Sequence, residues 1–337
     1  MKKTSHRHGK KLRVAILKGG PSSEHEVSLK SAAQVKKHLD SAHYDADEVL
    51  ISKGGEWEIS PENLAHAADL AFIALHGTYG EDGTVQSILD AVGMPYTGSD
   101  AMSSALAMNK FATGRLFHDA GILTPRTLLI TKREFDKDSD GVFRGIRYHL
   151  PYPLVIKPNA EGSSVGVYVV HDRDELIPAL IGAFALTKEV LAQHFVEGRE
   201  VTCGVLDQGF AESAFALPPT EIVPAVSHFF DYRAKYEPGG SEEITPARFS
   251  EPYLAEIRRT ALAAHRLVGA RGISRTDFIM GRDGKLYTLE VNTIPGLTEQ
   301  SLVPKAAAAA GIPFPKLLDI VIGAAIGVPV GSEVVRV

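Results

Sequence analysis

Residues 274–292 read Ser-Arg-Thr-Asp-Phe-Ile-Met-Gly-Arg-Asp-Gly-Lys-Leu-Tyr-Thr-Leu-Glu-Val-Asn, two runs of β-favouring residues around a short polar stretch. The dipeptide Asp283-Gly284 between such runs predicts an antiparallel hairpin with a two-residue turn. That turn would pair Arg282 with Lys285 and so set the register of the whole hairpin. The segment therefore predicts two paired strands in the C-terminal part of the chain.

Counted outward from the turn, four polar residues of this hairpin share one face, with Asp277 opposite Glu290 and Arg275 opposite Asn292. Two facing carboxylates repel each other unless a positive charge lies between them. Two carboxylates and an amide oxygen suit a hard divalent cation such as Mg²⁺, and Arg275 beside them could neutralise a phosphate or an oxyanion. A solvated polar face is the alternative. Three apolar residues are expected on the opposite face: Phe278, Leu289 and Val291.

A second informative segment is the apolar strand Leu154–Pro158, which carries Lys157 near its end and precedes the glycine- and serine-rich loop 159–166. Backbone N–H groups, hydroxyls and an ammonium group in such a loop can all bind phosphate oxygens. The loop lacks the G-x-x-x-x-G-K-[ST] pattern of a Walker loop. A flexible hairpin loop with a lysine nearby fits this segment equally well.

The N-terminal part of the chain alternates apolar strands with amphipathic stretches. Residues 13–17 and 70–75 are typical of buried parallel strands, and residues 28–39 carry apolar side chains at helical spacing. This alternation predicts an open α/β sheet. Gly19-Gly20 after the first strand is not a dinucleotide fingerprint, because G-x-G-x-x-G is absent.

The chain divides into three predicted domains: residues 1–98, 99–192 and 193–337. The second is expected to open with a helix over Ser103–Ala120. The third is expected to hold two strands near its middle and apolar helices over residues 251–268 and 315–328.

Composition narrows the possible classes of protein. The apolar fraction of 44%, the charged fraction of 23% and the net charge of −5 are ordinary for globular chains and give no basic field for nucleic acid. The single cysteine, Cys203, lies in a strand-like run, where a small buried hydrophobe is the expected role.

Neither end of the chain has the pattern of a membrane or export segment. The basic residues 1–11 precede only a short apolar run, which favours a loose tail over a secretory signal. Residues 317–328 are too short to cross a bilayer and contain Asp319, so a packed helix is expected. We expect a cytoplasmic protein with no membrane contact.

Five segments, in order over residues 19–302, resemble the motifs of the ATP-grasp superfamily and specifically of the D-alanine–D-alanine ligase family. They are Gly19–Ser28, Leu75–Thr84, Lys157–Gly166, Asp231–Tyr236 and Glu290–Thr298. The resemblance implies a three-domain ATP-grasp architecture with an N-terminal open α/β domain. It also implies ATP-dependent joining of two D-alanines through a D-alanyl phosphate, for peptidoglycan precursors, and a homodimer.

For the cofactors, the resemblance implies ATP and two Mg²⁺ ions, with Mn²⁺ as a possible substitute. The ions would be held by Asp277, Glu290 and Asn292. The residues that would contact ATP are Lys110, Lys157, Glu161, Ser163, Ser164, His194, Val196, Glu200 and Lys235. The adenine segment begins with Gln193, where the family pattern leads us to expect an acidic residue; backbone groups do much of the adenine recognition there.

For the amino acids, the resemblance implies that Glu24 binds the ammonium group of the first D-alanine, with His76 nearby. Arg275 and the Gly296 N–H would stabilise the tetrahedral oxyanion. Ser301 and the Leu302 backbone would bind the carboxylate of the second D-alanine. Taken alone, His76 could be an ordinary hydrogen-bonding residue, and Lys110 an exposed helix lysine.

Tyr236 would close the site by hydrogen bonding toward Glu24 and Ser163, although it could also merely pack. In the family, a tyrosine at this place goes with dipeptide formation rather than with D-lactate as second substrate. The surrounding segment 230–250 is rich in glycine, charge and aromatic residues, and we expect it to form a mobile loop over the site.

Three other functions are weighed against the ligase. Another ATP-grasp carboxylate–amine ligase would share the nucleotide and metal residues but not Glu24 and Tyr236. A nucleotide-binding regulator without catalysis would have no need of Arg275 or the metal set. A nicotinamide oxidoreductase would need the fingerprint that is missing.

Overall fold

The computed structural model describes residues 11–209, 214–224 and 239–327. Its N-terminal sheet contains β1 (Leu12–Gly19), β2 (Tyr44–Ile51) and β3 (Leu70–Ile73) in the order β2-β1-β3, all parallel. Three helices accompany these strands: α1 (His25–His38), α2 (Pro61–Ala67) and α3 (Thr84–Ala91). The middle of β1 is buried on both faces, which explains its continuous apolar run. The predicted open α/β sheet is confirmed.

Two helices, α4 (Ala101–Met108) and α5 (Lys110–Asp119), lead into the central part of the chain. The single helix predicted over residues 103–120 is therefore wrong. Asn109 separates the two helices with an extended backbone, and its side-chain oxygen accepts the N–H of Ala112 at 2.9 Å as the N-cap of α5. Asparagine is a favoured N-cap because its side chain satisfies such an N–H group.

The central sheet has four antiparallel strands in the order β4-β7-β5-β6. Its strands are β4 (Thr127–Thr131), β5 (Leu154–Pro158), β6 (Tyr168–Val170) and β7 (Glu189–His194). Its helices are α6 (Lys132–Lys137), α7 (Ser139–His149) and α8 (Arg173–Phe184). Strands β5 and β6 pair antiparallel and form a hairpin around the loop 159–166.

The third sheet runs β11-β10-β8-β12-β13, with β9 paired to β8. Its strands are β8 (Gly198–Leu206), β9 (Phe215–Ala216), β10 (Thr220–Pro224), β11 (Ser241–Ile244), β12 (Ile273–Gly281) and β13 (Leu286–Asn292). Six strands lie in the described residues of this sheet, four more than the two strands expected in this part of the chain. Helix α9 (Glu251–Val268) packs on one face of the sheet, where Ile257 and Ala261 contact Phe278.

The chain then forms α10 (Leu302–Ala309) and α11 (Phe314–Ile326). Both helices share a core with the N-terminal sheet, and the Tyr44 hydroxyl donates to Asp319 at 2.7 Å. The predicted C-terminal helix is confirmed, although it starts at Phe314. No single helix of the described ranges is long and apolar enough to span a membrane; α10 and α11 pass that test only as a pair bent by 107°.

The hairpin of β12 and β13 differs from its prediction near the turn. Gly281 N–H donates to Lys285 at 2.9 Å, so the loop has three residues, and its last residue, Gly284, has a φ of +75°. The predicted two-residue turn is therefore wrong. An irregularity between Asp277 and Phe278 then shifts the pairing by one residue.

This shift restores the predicted pairs farther from the turn. Asp277 lies opposite Glu290 and Arg275 opposite Asn292. The extra residue is Leu289, because Phe278 pairs with Thr288. Such a β-bulge lets two consecutive residues share a side of the sheet.

Leu289, the extra residue, accordingly lines the cleft beside Glu290 and is only half-buried, so its predicted position on the opposite, buried face is wrong. Phe278 and Val291 do lie in the core, as predicted. Cys203 is also buried in the core, as expected, and burial raises the pKa of its thiol to about 12.

Candidate active site

The ends of the N-terminal strands, the loop after β5 and the open face of β12 and β13 surround a cavity of about 810 Å³. Many predicted site residues line it: Glu24, His76, Lys110, Glu161, Ser163, Arg275, Glu290, Asn292, Gly296, Ser301 and Leu302. An adjoining cavity of about 140 Å³ is lined by Lys157, Ser164, His194, Val196, Glu200 and Asp277. Lys110, Glu161 and Glu290 line both. The two cavities therefore bring together every predicted site residue that the structure describes.

The carboxylate of Glu24 lies just before α1 and contacts two loops. The Ser163 hydroxyl donates to Glu24 Oε1 at 2.5 Å. A Cβ atom added to Gly77 or Gly162 would come within 2.8 or 2.7 Å of Glu24 Oε2. The carboxylate therefore lies close against both loops, and Gly77 also has a φ of +68°, which favours glycine.

The loop from Glu161 to Gly166 is tightly turned. Ser163 and Ser164 have φ values of 52° and 57°, in the left-handed region that non-glycine residues rarely adopt. The Val165 N–H donates to the Gly162 carbonyl at 3.1 Å across this turn. Left-handed non-glycine residues of this kind are costly and cluster at active sites, ligand clamps and switch regions.

Lys110 begins α5 and reaches both the loop and the hairpin. Its Nζ donates to the Glu161 carbonyl at 2.6 Å and lies 3.3 Å from Glu290 Oε2. Lys157 extends from β5 into the adjoining cavity and is 8% exposed. Two ammonium groups therefore flank the place where the loop and the hairpin face each other.

The Asp277 carboxylate accepts hydrogen bonds from three neighbouring side chains. Arg275 donates to both oxygens, Thr202 donates to Oδ1 at 2.7 Å, and Asn292 donates to Oδ2 at 3.1 Å. Burial opposes the charge of Arg275, but the charge of Asp277 and its hydrogen bonds outweigh it and raise the pKa of the guanidinium group. Arg275 is therefore charged at any working pH.

The donor set of this hairpin fits Mg²⁺. Asp277 and Glu290 lie directly opposite each other on neighbouring strands, and the amide of Asn292 lies beside them. Oxygen ligands of this kind are what a hard divalent ion requires. Among the residues of 11–209, 214–224 and 239–327, no cluster of three or more His, Cys, Asp and Glu offers a competing site.

Glu81 is a half-buried carboxyl that sequence reasoning left without a role, although it lies in the motif Leu75–Thr84. It accepts the N–H groups of Gly77 at 2.9 Å and of Ile294 at 3.2 Å. Burial and the charge of Glu24 raise its pKa to about 8. Within the motif, its acidic side chain was the only signal that could have identified it.

Ser301 and Leu302 lie at the start of α10. The Ser301 hydroxyl accepts the Thr298 N–H at 3.0 Å and lies 2.8 Å from the Thr298 hydroxyl. A Cβ atom at Gly296 would come within 2.7 Å of the Ser301 hydroxyl oxygen. The loop before α10 is thus folded closely on itself beside the cavity.

Two residues assigned to the site lie outside the described residues: Lys235 and Tyr236. The expected mobile loop over residues 230–250 is described only from residue 239 onward. There β11 pairs with β10, and Glu243 accepts from Lys305 Nζ at 2.8 Å.

Comparisons with known proteins give one consistent result. Family models described as D-ala D-ala ligase C-terminus and N-terminus match residues 116–323 and residues 13–66 and 58–99. A D-alanine--D-alanine ligase of Desulfotalea psychrophila is 42% identical over 316 residues, covering 93% of this chain and 94% of its own. That of Desulforamulus reducens is 42% identical over 310 residues, covering 91% of this chain and 96% of its own.

Two solved structures are also similar to this chain over most of its length. The VanG D-Ala:D-Ser ligase of Enterococcus faecalis has a TM-score of 0.83 and 31% identity, covering 94% of this chain and 99% of its own. The D-alanine--D-alanine ligase of Bacillus anthracis complexed with ATP has a TM-score of 0.77 and 32% identity, covering 94% of this chain and 98% of its own.

Proposed function

This chain belongs to the D-alanine–D-alanine ligase family, and we propose that it joins two D-alanines to D-alanyl-D-alanine with ATP and Mg²⁺. The observation that carries the proposal is one continuous site. Glu24 at one end and the facing pair Asp277 and Glu290 at the other are connected by the loop of Ser163 and by Lys110.

The first step makes the carboxylate of one D-alanine reactive. Glu24 holds the ammonium group of this D-alanine and so aims its carboxylate at the γ-phosphorus of ATP. Lys110, Lys157 and the loop of Ser163 and Ser164 hold the phosphates. Mg²⁺, held by Asp277, Glu290 and Asn292, would offset the charge that builds up on the phosphate oxygens. The products of this step are D-alanyl phosphate and ADP.

In the second step, the deprotonated amine of another D-alanine attacks the carbonyl carbon of the acyl phosphate. Ser301 and the Leu302 backbone hold its carboxylate. Arg275 and the Gly296 N–H stabilise the tetrahedral oxyanion, which then expels inorganic phosphate as the amide forms. The loop expected over residues 230–250 would limit the access of water to the acyl phosphate.

Adenine binding is proposed for the smaller cavity. His194 and Val196 border it, and Glu200 on β8 would hold the ribose. Glu161 and Lys235 complete the set of ATP contacts. The predicted homodimer and the cytoplasmic location rest on the family resemblance and on the sequence, and light scattering during size-exclusion chromatography tests the first.

The experiment measures phosphate release from ATP and Mg²⁺ with D-alanine as the sole amino acid and identifies the product by mass. Phosphate release matched by D-alanyl-D-alanine supports the proposal. ATP left intact with D-alanine, but consumed with another carboxylate–amine pair, would contradict the substrate and leave the ATP-grasp site standing.

The second substrate needs its own comparison, because one similar structure is a D-Ala:D-Ser ligase. D-serine and D-lactate are each offered with D-alanine, and the products are separated by mass. Tyr236 leads us to expect the D-alanine dipeptide as the main product. A mixed product in excess would contradict that assignment.

A further inference from the structure

Both ring nitrogens of His76 are engaged by the protein. Nδ1 lies 3.1 Å from the Ile294 carbonyl oxygen, and Nε2 lies 2.8 Å from the Ser31 hydroxyl oxygen. A carbonyl oxygen can only accept, so Nδ1 must carry the proton. Nε2 is then the acceptor, and Ser31 donates to it.

The other end of this chain of hydrogen bonds is the backbone of Ile294. Its carbonyl accepts from His76, and its N–H donates to Glu81 Oε2 at 3.2 Å. Its side chain is 5% exposed and packs in the N-terminal core with Leu75 and Val85. Ile294, in the loop that follows β13, is therefore held by His76, by Glu81 and by the apolar core of the N-terminal sheet.

We propose that Ser31, which lies outside every motif identified in the sequence, is a positioning residue that acts through His76 on the Ile294 backbone. Ile294 precedes Gly296 by two residues, so the fixed carbonyl sets where the Gly296 N–H points. This inference rests on the proposed ligase function, because it assumes that the Gly296 N–H stabilises the oxyanion.

The surroundings of the ring support a fixed neutral tautomer. His76 is 3% exposed and Ser31 is completely buried. Burial lowers the pKa of His76, and the charge of Glu24, which would raise it, does not outweigh burial. A neutral ring with both nitrogens engaged orients a loop and does not exchange protons with substrate.

The kinetic test uses Ser31→Ala, with Ser104→Ala as the matched control because Ser104 is an equally buried helix serine in α4. Ser31→Ala is expected to lower kcat roughly 5- to 10-fold, the rate factor that one lost buried hydrogen bond corresponds to. The KM for ATP should not change, and Ser31→Cys, which keeps a weak donor, should recover part of the rate. An unchanged kcat in a folded Ser31→Ala enzyme would overturn the proposal.

A spectroscopic test does not depend on activity. ¹⁵N-histidine labelling of the wild-type protein, with His76 assigned through His76→Gln, should show a protonated Nδ1 and an unprotonated Nε2. In Ser31→Ala the Nε2 signal should move downfield, because the nitrogen loses its donor. A protonated Nε2 in the wild type would overturn the proposal, and this readout remains decisive if Ser31→Ala does not fold.

The kcat of a double variant shows whether Ser31 acts through His76 or independently of it. If Ser31 acts only through His76, the double variant Ser31→Ala/His76→Gln should have the same kcat as His76→Gln. If the kcat losses of the two single variants multiply in the double variant, Ser31 does not act through His76. If the wild type released no phosphate with D-alanine, the ligase function would fail, while the tautomer measurement would still test the hydrogen bonds.

Discussion

Arg275 donates from Nε to Asp277 Oδ1 and from Nη2 to Asp277 Oδ2, each at 2.8 Å, from two positions away on the same strand. A planar guanidinium group held in this way cannot rotate freely, so its remaining donors keep one direction. The carboxylate proposed to bind metal therefore also orients the cation proposed to stabilise the oxyanion.

Arg275→Ala should lower kcat about 100- to 1000-fold, as the removal of an oxyanion donor typically does. Arg275→Lys should recover little, because an ammonium group lacks the planar fork that pairs with Asp277. Steady-state kinetics with D-alanine measures both. Arg282→Ala removes an exposed arginine of the hairpin loop and serves as the control. A kcat near the wild-type value in Arg275→Ala would refute the assignment.

Glu290→Gln should raise the Mg²⁺ concentration needed for half-maximal rate by roughly 10- to 100-fold or more, since even changes to residues that only orient a metal ligand reach that range. The reason is the loss of an anionic oxygen ligand opposite Asp277. Glu197→Gln, at an exposed carboxylate, should leave the Mg²⁺ requirement unchanged. Titration of activity with Mg²⁺ after treatment with a chelator measures it. Equal requirements in both variants would remove Glu290 from the metal site.

Glu81 should make the protein less stable as pH rises from about 5 to about 8. Its pKa in the folded state, about 8, exceeds the ordinary value of 4.5, so between these values the folded state binds more protons than the unfolded state. The stability that protonated Glu81 contributes is fully present below the ordinary pKa of 4.5, and it is lost as pH rises through the folded-state pKa of about 8. The midpoint of thermal unfolding should fall by on the order of 2–4 °C for each kcal/mol lost. In Glu81→Gln the fall should be smaller; an unchanged pH dependence would refute the raised pKa.

Ile294→Ala should lower the free energy of unfolding by about 2–5 kcal/mol, as expected for a truncated buried isoleucine. It should also lower kcat, because the Ile294 backbone precedes the loop of Gly296. Ile146→Ala, in the core of the central domain, provides a control that loses comparable stability but keeps kcat. Urea unfolding and kinetics are measured on both. If both variants keep the wild-type kcat, the side chain of Ile294 has no part in positioning the loop of Gly296.

Much of the fold and of the site could be predicted from local signals. The parallel N-terminal strands followed from apolar runs, and the pairing of Asp277 with Glu290 followed from counting along the hairpin. That count succeeded only because the longer loop and the bulge cancel each other. Loop length and bulges depend on how a strand packs, which a single sequence does not reveal.

The hydrogen bonds that connect Ser31, His76 and Ile294 could not be predicted. Ser31 and His76 are 45 positions apart, and His76 and Ile294 are 218 apart. Their hydrogen bonds depend on how the N-terminal domain is placed against β13, which no local pattern encodes. The helix break at Asn109, in contrast, could have been predicted from the sequence, because asparagine is a favoured N-cap residue. The helical spacing of apolar residues continues across Asn109 and therefore predicted one helix.

The bulge at Leu289 has a consequence for how this hairpin can change by insertion or deletion. Because the residues before and after Leu289 keep the faces of a regular hairpin, removing this one residue would leave Glu290 opposite Asp277 and only straighten the strand. The cleft would lose an apolar wall while the facing carboxylates stayed in place. Evolution or an engineer can thus alter the cleft proposed to bind the nucleotide by changing the length of the chain, without altering any residue proposed to bind metal.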